Sequence, residues 1–242
     1  MRVRKLLALT KVVLGVALLA TLGNWGIFRG GEALAHTYSG TNFQLFGKAQ
    51  NLTGGLAPGG SVHLTSQCTT YPDCPYTNIT ESGIDYMPNV PLKFNQMTDL
   101  STDFRIDGGD CGGGSPRFEI SIDTDGDGVS DGNIFVYIGP QPNFVNCVWG
   151  WQNTGNLTDI TNTGLRYDLT DLRGSFFVTY TDALALLGDY NVLRVRLVVD
   201  GGWTTPRGQA VDVDNFRVNI DFLVRSKDTG DGPVLLQRHR LR

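Results

Sequence analysis

The stretch Arg117-Phe118-Glu119-Ile120-Ser121-Ile122, then Asp123-Thr124-Asp125-Gly126-Asp127-Gly128-Val129-Ser130-Asp131, then Asn133-Ile134-Phe135-Val136-Tyr137-Ile138, decides the fold class. Its two flanks alternate apolar and polar side chains, the pattern of strands with one face in a core. The loop between them holds four carboxylates, with glycines where the backbone must turn. A chain wraps a hard, oxygen-seeking cation in this way, so the segment reads as a β-hairpin holding calcium. Carboxylates so confined repel one another by about 1 kcal/mol per close pair even in water. No Lys or Arg lies within the loop to offset this. The plainer alternative is an Asp-Gly turn without metal, since such dipeptides favour the positive φ angles of hairpins.

Outward from the hairpin, short strand-like runs recur at residues 42–46, 61–65, 91–94, 102–106, 147–151, 165–169, 175–180, 193–200, 210–218 and 220–224. With the two hairpin strands they predict an all-β chain folded as a two-sheet, jelly-roll-like β-sandwich. The spacing of Val211, Val213 and Phe216 fits plain alternation less well than a bulge. One short helix is predicted over 180–187, where Ala183, Leu184, Leu186 and Leu187 form an apolar face closed by Gly188. Such a helix plugs an open end of the core.

The N-terminus carries Arg2, Arg4 and Lys5, an apolar run over 12–22, and Ala33-Leu34-Ala35, the three regions of a secretory signal. The expected organisation is a signal peptide over 1–35, a calcium-binding β-sandwich over 36–225, and a flexible basic tail over 226–242. An uncleaved anchor is the alternative at the N-terminus, although the run is shorter than the roughly 20 residues a bilayer span needs. No later segment is apolar enough to span a membrane. Cleavage after Ala35 takes five basic residues from 20 and one acid from 24, leaving 15 against 23. A surface that acidic repels nucleic acid and suits a secreted or cell-surface protein. Cys68, Cys74, Cys111 and Cys147 form an even set that export should oxidise, with neighbours pairing as Cys68 with Cys74 and Cys111 with Cys147. Zinc is disfavoured, because no two cysteines have the spacing of a zinc knuckle and histidine is scarce.

Candidate ligand contacts centre on Trp149 and Trp151, two apart in the predicted 147–151 strand, with Asn153 beside them and Tyr137 and Trp203 as extensions. Aromatic rings beside amides suit a glycan, whereas core packing is the structural alternative for the same rings. Catalysis has less support. Glu81 and Glu119 are the only glutamates after residue 35, with Glu81 read in a polar loop, and they make a poor glycosidase pair. A serine triad lacks its nucleophile elbow, and His63 is the only histidine in the body.

Over nine residues the acidic loop resembles the first half of an EF-hand and, more closely, the calcium loops of thrombospondin type 3 repeats. The resemblance implies ligands from Asp123, Asp125, Asp127, the backbone carbonyl of Val129, and Asp131, with Ile134 standing where an EF-hand has its bidentate glutamate. The run Val213-Asp214-Asn215-Phe216-Arg217-Val218 resembles the closing strand of jelly-roll carbohydrate-binding modules, which implies that Asp214 helps bind a second, structural calcium. Residues 111–218 also resemble uncharacterised exported bacterial proteins of this arrangement. His36, exposed by cleavage after Ala35, together with His63 resembles the copper histidine brace of lytic polysaccharide monooxygenases. The preferred expectation is an exported, calcium-stabilised, non-catalytic module for a glycan or surface polymer. A self-assembling surface or filament protein is the alternative, and a copper-dependent polysaccharide oxidase a more distant one.

Overall fold

The computed structural model describes residues 42–56, 60–67, 80–201 and 208–223. The expected signal peptide, His36, Cys68, Cys74, Trp203 and the basic tail lie outside the described residues. In chain order the strands are β1 (Phe43–Phe46), β2 (Gln50–Leu52), β3 (Ser61–Ser66), β4 (Glu81–Tyr86), β5 (Leu100–Gly108), β6 (Arg117–Asp123), β7 (Gly132–Tyr137), β8 (Gln152–Asn153), β9 (Tyr167–Asp168), β10 (Asn191–Asp200), β11 (Gln209–Val218) and β12 (Asp221–Phe222). Helix α1 (Tyr180–Leu187) precedes β10.

One sheet has the order β1-β4-β10-β6-β7-β9 and the other β2-β3-β11-β5-β8, with β12 pairing β11. Every pairing among the described residues is antiparallel, and the chain crosses between sheets repeatedly, as a jelly-roll-like sandwich requires. The hairpin forms as expected, with Ile122 opposite Gly132 and Arg117 opposite Tyr137. Phe118, Ile120 and Ile122 turn inward to meet Ile134 and Val136 of β7 in the core. Phe216 links the layers: its ring lies 5.2 Å from that of Phe43 and 5.4 Å from that of Phe118. It reaches the core because β11 bulges between Asp214 and Arg217, where Asn215 takes a left-handed φ of 51°. The bulge lets Val211, Val213, Phe216 and Val218 all face inward despite the break in alternation.

Helix α1 has the predicted bounds. Thr179 and Asp182 cap it reciprocally: Asp182 N–H donates to Thr179 Oγ1 at 3.1 Å and Thr179 N–H to Asp182 Oδ2 at 3.2 Å. Tyr180, Ala183 and Leu187 are buried, whereas Leu186, expected on the apolar face, is exposed. The helix closes one end of the core through Tyr180, whose ring meets Phe94 at 5.6 Å and whose hydroxyl donates to the Met97 carbonyl at 3.0 Å.

Several expected strands take other forms. At 91–94 Pro91 has no N–H to donate, only Lys93 bridges to Asn191, and Phe94–Gln96 forms a 3-10 turn. At 147–151 the Cys147 N–H goes to Asp110 Oδ1 at 2.9 Å instead of to a neighbouring strand, and Gly150 has a φ of 126°. At 175–180 only Val178 bridges to Tyr167, because Phe177 is left-handed. Conversely Glu81, read in a loop, begins β4, a six-residue strand in the middle of its sheet's pairing. Among the described residues no helix is long and apolar enough to cross a membrane.

Candidate functional site

Three places carry the candidate chemistry. The first is the turn of the hairpin. Gly126 and Gly128, at φ of 84° and 83°, fold their N–H groups back onto Asp123, which accepts them at 2.6 and 3.1 Å on its two oxygens. Asp131 accepts the N–H and hydroxyl of Thr124 at 2.7 and 2.6 Å, and Asp127 accepts the Val129 N–H at 2.7 Å. Burial opposes ionisation of Asp123, but the two glycine amides and the Asn191 side chain outweigh it and hold its carboxyl below the usual range. The Thr124 hydroxyl and amide hold Asp131 low as well. One carboxylate oxygen from each of Asp123, Asp125 and Asp131 lies within 4.8 Å of the others. Three convergent carboxylate oxygens fit a hard cation such as calcium. Asp127 stands outside this group, and Val129 exposes its side chain. On its other side Asp131 lines a cleft of about 390 Å³ with Asp171, Arg173 and Tyr190.

The second place is the outer face of the other sheet. Asp103 of β5 is clamped by two amides, Asn153 Nδ2 at 2.6 Å and Asn215 Nδ2 at 2.7 Å. With Arg217 and Ser101 they line an open groove of about 270 Å³. Trp151 flanks this face, its ring 5.3 Å from the guanidinium carbon of Arg105. Arg105 in turn pairs with Asp212, which is fully buried and also bonded to His63 Nδ1 at 2.7 Å. His63, Asp107 and Asp212 converge as metal ligands do, yet the guanidinium of Arg105 already matches the carboxylates. Trp149 is 74% exposed in a bend, so the two tryptophans do not share a strand face as expected. Asp214, on β11, accepts the Leu56 N–H at 3.0 Å and so holds the β2–β3 loop. It lies in the sheet opposite the acidic hairpin.

The third place is the open end of the hairpin, on the outer face of the first sheet, where Tyr137 is found apart from the tryptophans. Arg117 donates to the Gly114 carbonyl at 2.7 Å, to Glu119 at 2.6 Å and to Asp200 at 3.0 Å, and lies over the Phe135 ring. Tyr137 donates its hydroxyl to Asp168 Oδ2 at 2.8 Å. Burial first, and then that carboxylate, pushes the phenol far above its usual range. The walls are three loops. The disulfide of Cys111 and Cys147, a bridge between Gly112 and Val145, and the Gly113 N–H to Phe144 carbonyl bond at 3.2 Å tie two of them together. Phe144 and Phe177, whose rings both pack on Tyr137, adopt left-handed φ angles of 57° and 56°. Such backbone costs about 1–3 kcal/mol for each bulky residue and persists only where its surroundings enforce it.

Next to this end, Arg196 grips Asp85 through two nitrogens at 2.6 and 3.1 Å and reaches Glu81 at 3.5 Å. Burial, with the charges of Glu119 and Asp200, raises the Glu81 carboxyl against the pull of Arg196. Glu119 is locked to Arg117, so the two glutamates do not form a free acid–base pair. Sequence reasoning missed Asp103, Asn215 and Arg217, although Asp103 precedes the inward Phe104 and the bulge displaces Asn215. It also missed Asp168 and Phe176, for which no local signal exists.

No family model and no curated protein matches the chain. Among solved structures, an exo-beta-agarase matches with a TM-score of 0.36 and 16% identity over 77% of this chain. The match spans 25% of the agarase chain. At that distance the likeness carries no functional argument, and the sandwich rests on its own strand pairing.

Proposed function

We propose that the protein is an exported module that binds a glycan on the outer face of its second sheet and is stabilised by calcium at the hairpin turn. The observation that carries the reading is the groove in which Asp103, fixed between Asn153 and Asn215, lies beside Arg217. Sugar hydroxyls donate and accept at once, and planar amides, carboxylates and guanidinium groups meet neighbouring hydroxyls in pairs. A carboxylate oxygen accepts more than one hydrogen bond, so the clamp orients Asp103 without exhausting it. Trp151, held by Arg105, supplies the apolar face on which sugar C–H groups stack. The groove is open, which suits a stretch of chain over a single small molecule.

A glycan array tests this. The wild type should retain one class of polysaccharide, and Trp151→Ala and Asn215→Ala should each weaken it by about tenfold or more, the loss of one well-placed contact. Binding that survives both substitutions, or a wild type that binds nothing, overturns the reading. Self-assembly has less to recommend it: the strands ending the two sheets, β1, β9, β2 and β8, have 4, 2, 3 and 2 residues, and short edges resist edge-to-edge pairing.

A further inference from the structure

We propose that the open end of the hairpin is a second, independent binding site that takes one neutral, hydroxylated ring of the hexopyranose class and rejects its anionic counterparts. The cavity there has about 240 Å³. That is just below the roughly 300–1,000 Å³ of drug-sized sites, room for one ring rather than a chain. Phe135, Tyr137 and Phe176 give it apolar walls, and Phe176 is half exposed at the rim. Asp168 and Thr170 give it polar ones.

The charges choose the ligand. Arg117 looks like an anion receptor, but its guanidinium is spent on the Gly114 carbonyl, Glu119 and Asp200. Three carboxylates, Glu119, Asp200 and Asp168, outnumber the two nearby guanidinium groups of Arg117 and Arg166, the latter bonded to the Tyr137 and Gly139 carbonyls, and leave the site net acidic before any ligand arrives. An anionic ring would be repelled, whereas hydroxyl groups can donate to Asp168. That carboxylate is 95% buried and already oriented by Tyr137 on one oxygen and by the Thr170 N–H and hydroxyl on the other, at 3.0 and 2.7 Å. A buried carboxylate retained between aromatic walls is the arrangement that hydroxyl donors satisfy.

The walls are also held in advance. The Cys111–Cys147 disulfide joins the two loops that carry Gly114 and Phe144, and the left-handed Phe144 and Phe177 pack on each other at 5.4 Å behind Tyr137. A site whose shape is fixed before binding loses little conformational freedom on binding, so even a small ligand can be retained.

The test is amide NMR of the labelled protein titrated separately with methyl glucoside, methyl galactoside and methyl mannoside, and with glucuronate and galacturonate. At least one neutral sugar should shift the amides of Gly114, Thr170 and Phe176 with millimolar affinity, and the uronates should bind about tenfold more weakly or not at all. Phe176→Ala, a change at the rim, should weaken the neutral sugar by about tenfold with the rest of the spectrum unchanged, while Trp151→Ala leaves it as in the wild type. Asp168→Asn, which keeps one acceptor oxygen and removes one of the three carboxylates, should lessen the preference against uronates. The proposal falls if no neutral sugar shifts these amides, or if the uronates bind as well. Shifts confined to Asp103, Asn153 and Asn215 would sustain the groove and end this second site.

Discussion

The β6–β7 hairpin has two ends of opposite character. At its turn, Asp125, Asp127 and Asp131 are exposed and the carboxylates are met mostly by groups within nine residues, the glycine amides and Thr124, with the Asn191 side chain as a distant donor to Asp123. At its open end, charged side chains that point away from the core are nonetheless buried: Arg117 and Glu119 are 6% and 7% exposed, because loops distant in sequence cover them. About six residues, some 20 Å of strand, separate the two ends. The turn is built largely by short-range chemistry, with Asn191 of β10 as a long-range donor to Asp123. The open end exists only once the sandwich has brought together three loops, and the fold holds strained backbone there. Recognition is expected at the second kind of place, and ion-dependent stability at the first.

The largest effect should come from cutting the staple at the open end. Cys111 and Cys147 are 36 residues apart, and closing a loop of that length is worth about 3–4 kcal/mol by the chain-entropy relation. Cys147→Ala together with Cys111→Ala should lower the urea midpoint accordingly and broaden the resonances of Gly114 and Tyr137 more than those of Asp125. An unchanged midpoint, or equal broadening at both ends, would erase the contrast.

A smaller effect, with a fixed sign, should appear on acidification. Asp123 and Asp131 ionise more readily folded than unfolded, so their contribution is complete above the ordinary aspartate value near pH 4 and is lost as pH falls through their lowered folded values. Glu81 runs the other way. Its folded carboxyl is raised, so it favours the folded state when protonated and loses that advantage as pH rises through its folded value. In chelator, Asp131→Asn should flatten the loss of stability below pH 4, and Glu81→Gln should leave that limb in place. If Asp131→Asn changes nothing, the turn does not hold its carboxylates as described.

Legibility in the sequence followed the same divide. The hairpin, the helix at 180–187 and the bulge in β11 each depend on side chains within a few residues, and all three were readable. Strand β4 was not, because Ser82, Gly83 and Asp85 are poor strand formers. Gly83 is there for a tertiary reason: a Cβ would lie 2.2 Å from the Leu197 carbonyl oxygen and against the Phe46 ring. The chain gives up local propensity to let β4 pass between β1 and β10. Trp149 and Trp151 looked like a strand pair, but the chain bends at Trp149 and at Gly150, whose φ of 126° breaks the extended run between them. Asp168 and Phe176 gain meaning only through Arg117 and Tyr137, dozens of residues away. No local pattern could have marked them.

The proposed division of labour, with calcium stabilising the turn and binding surfaces elsewhere, is tested most directly by the melting temperature of the protein in saturating calcium and in chelator. Saturation at a hundredfold over the dissociation constant should add about 2.7 kcal/mol, or about 5–10 °C for a domain of this size. The difference should vanish in Asp123→Ala, while glycan affinity at room temperature stays the same with and without the ion. Identical melting curves in calcium and chelator would contradict the account and leave the hairpin a plain Asp-Gly turn.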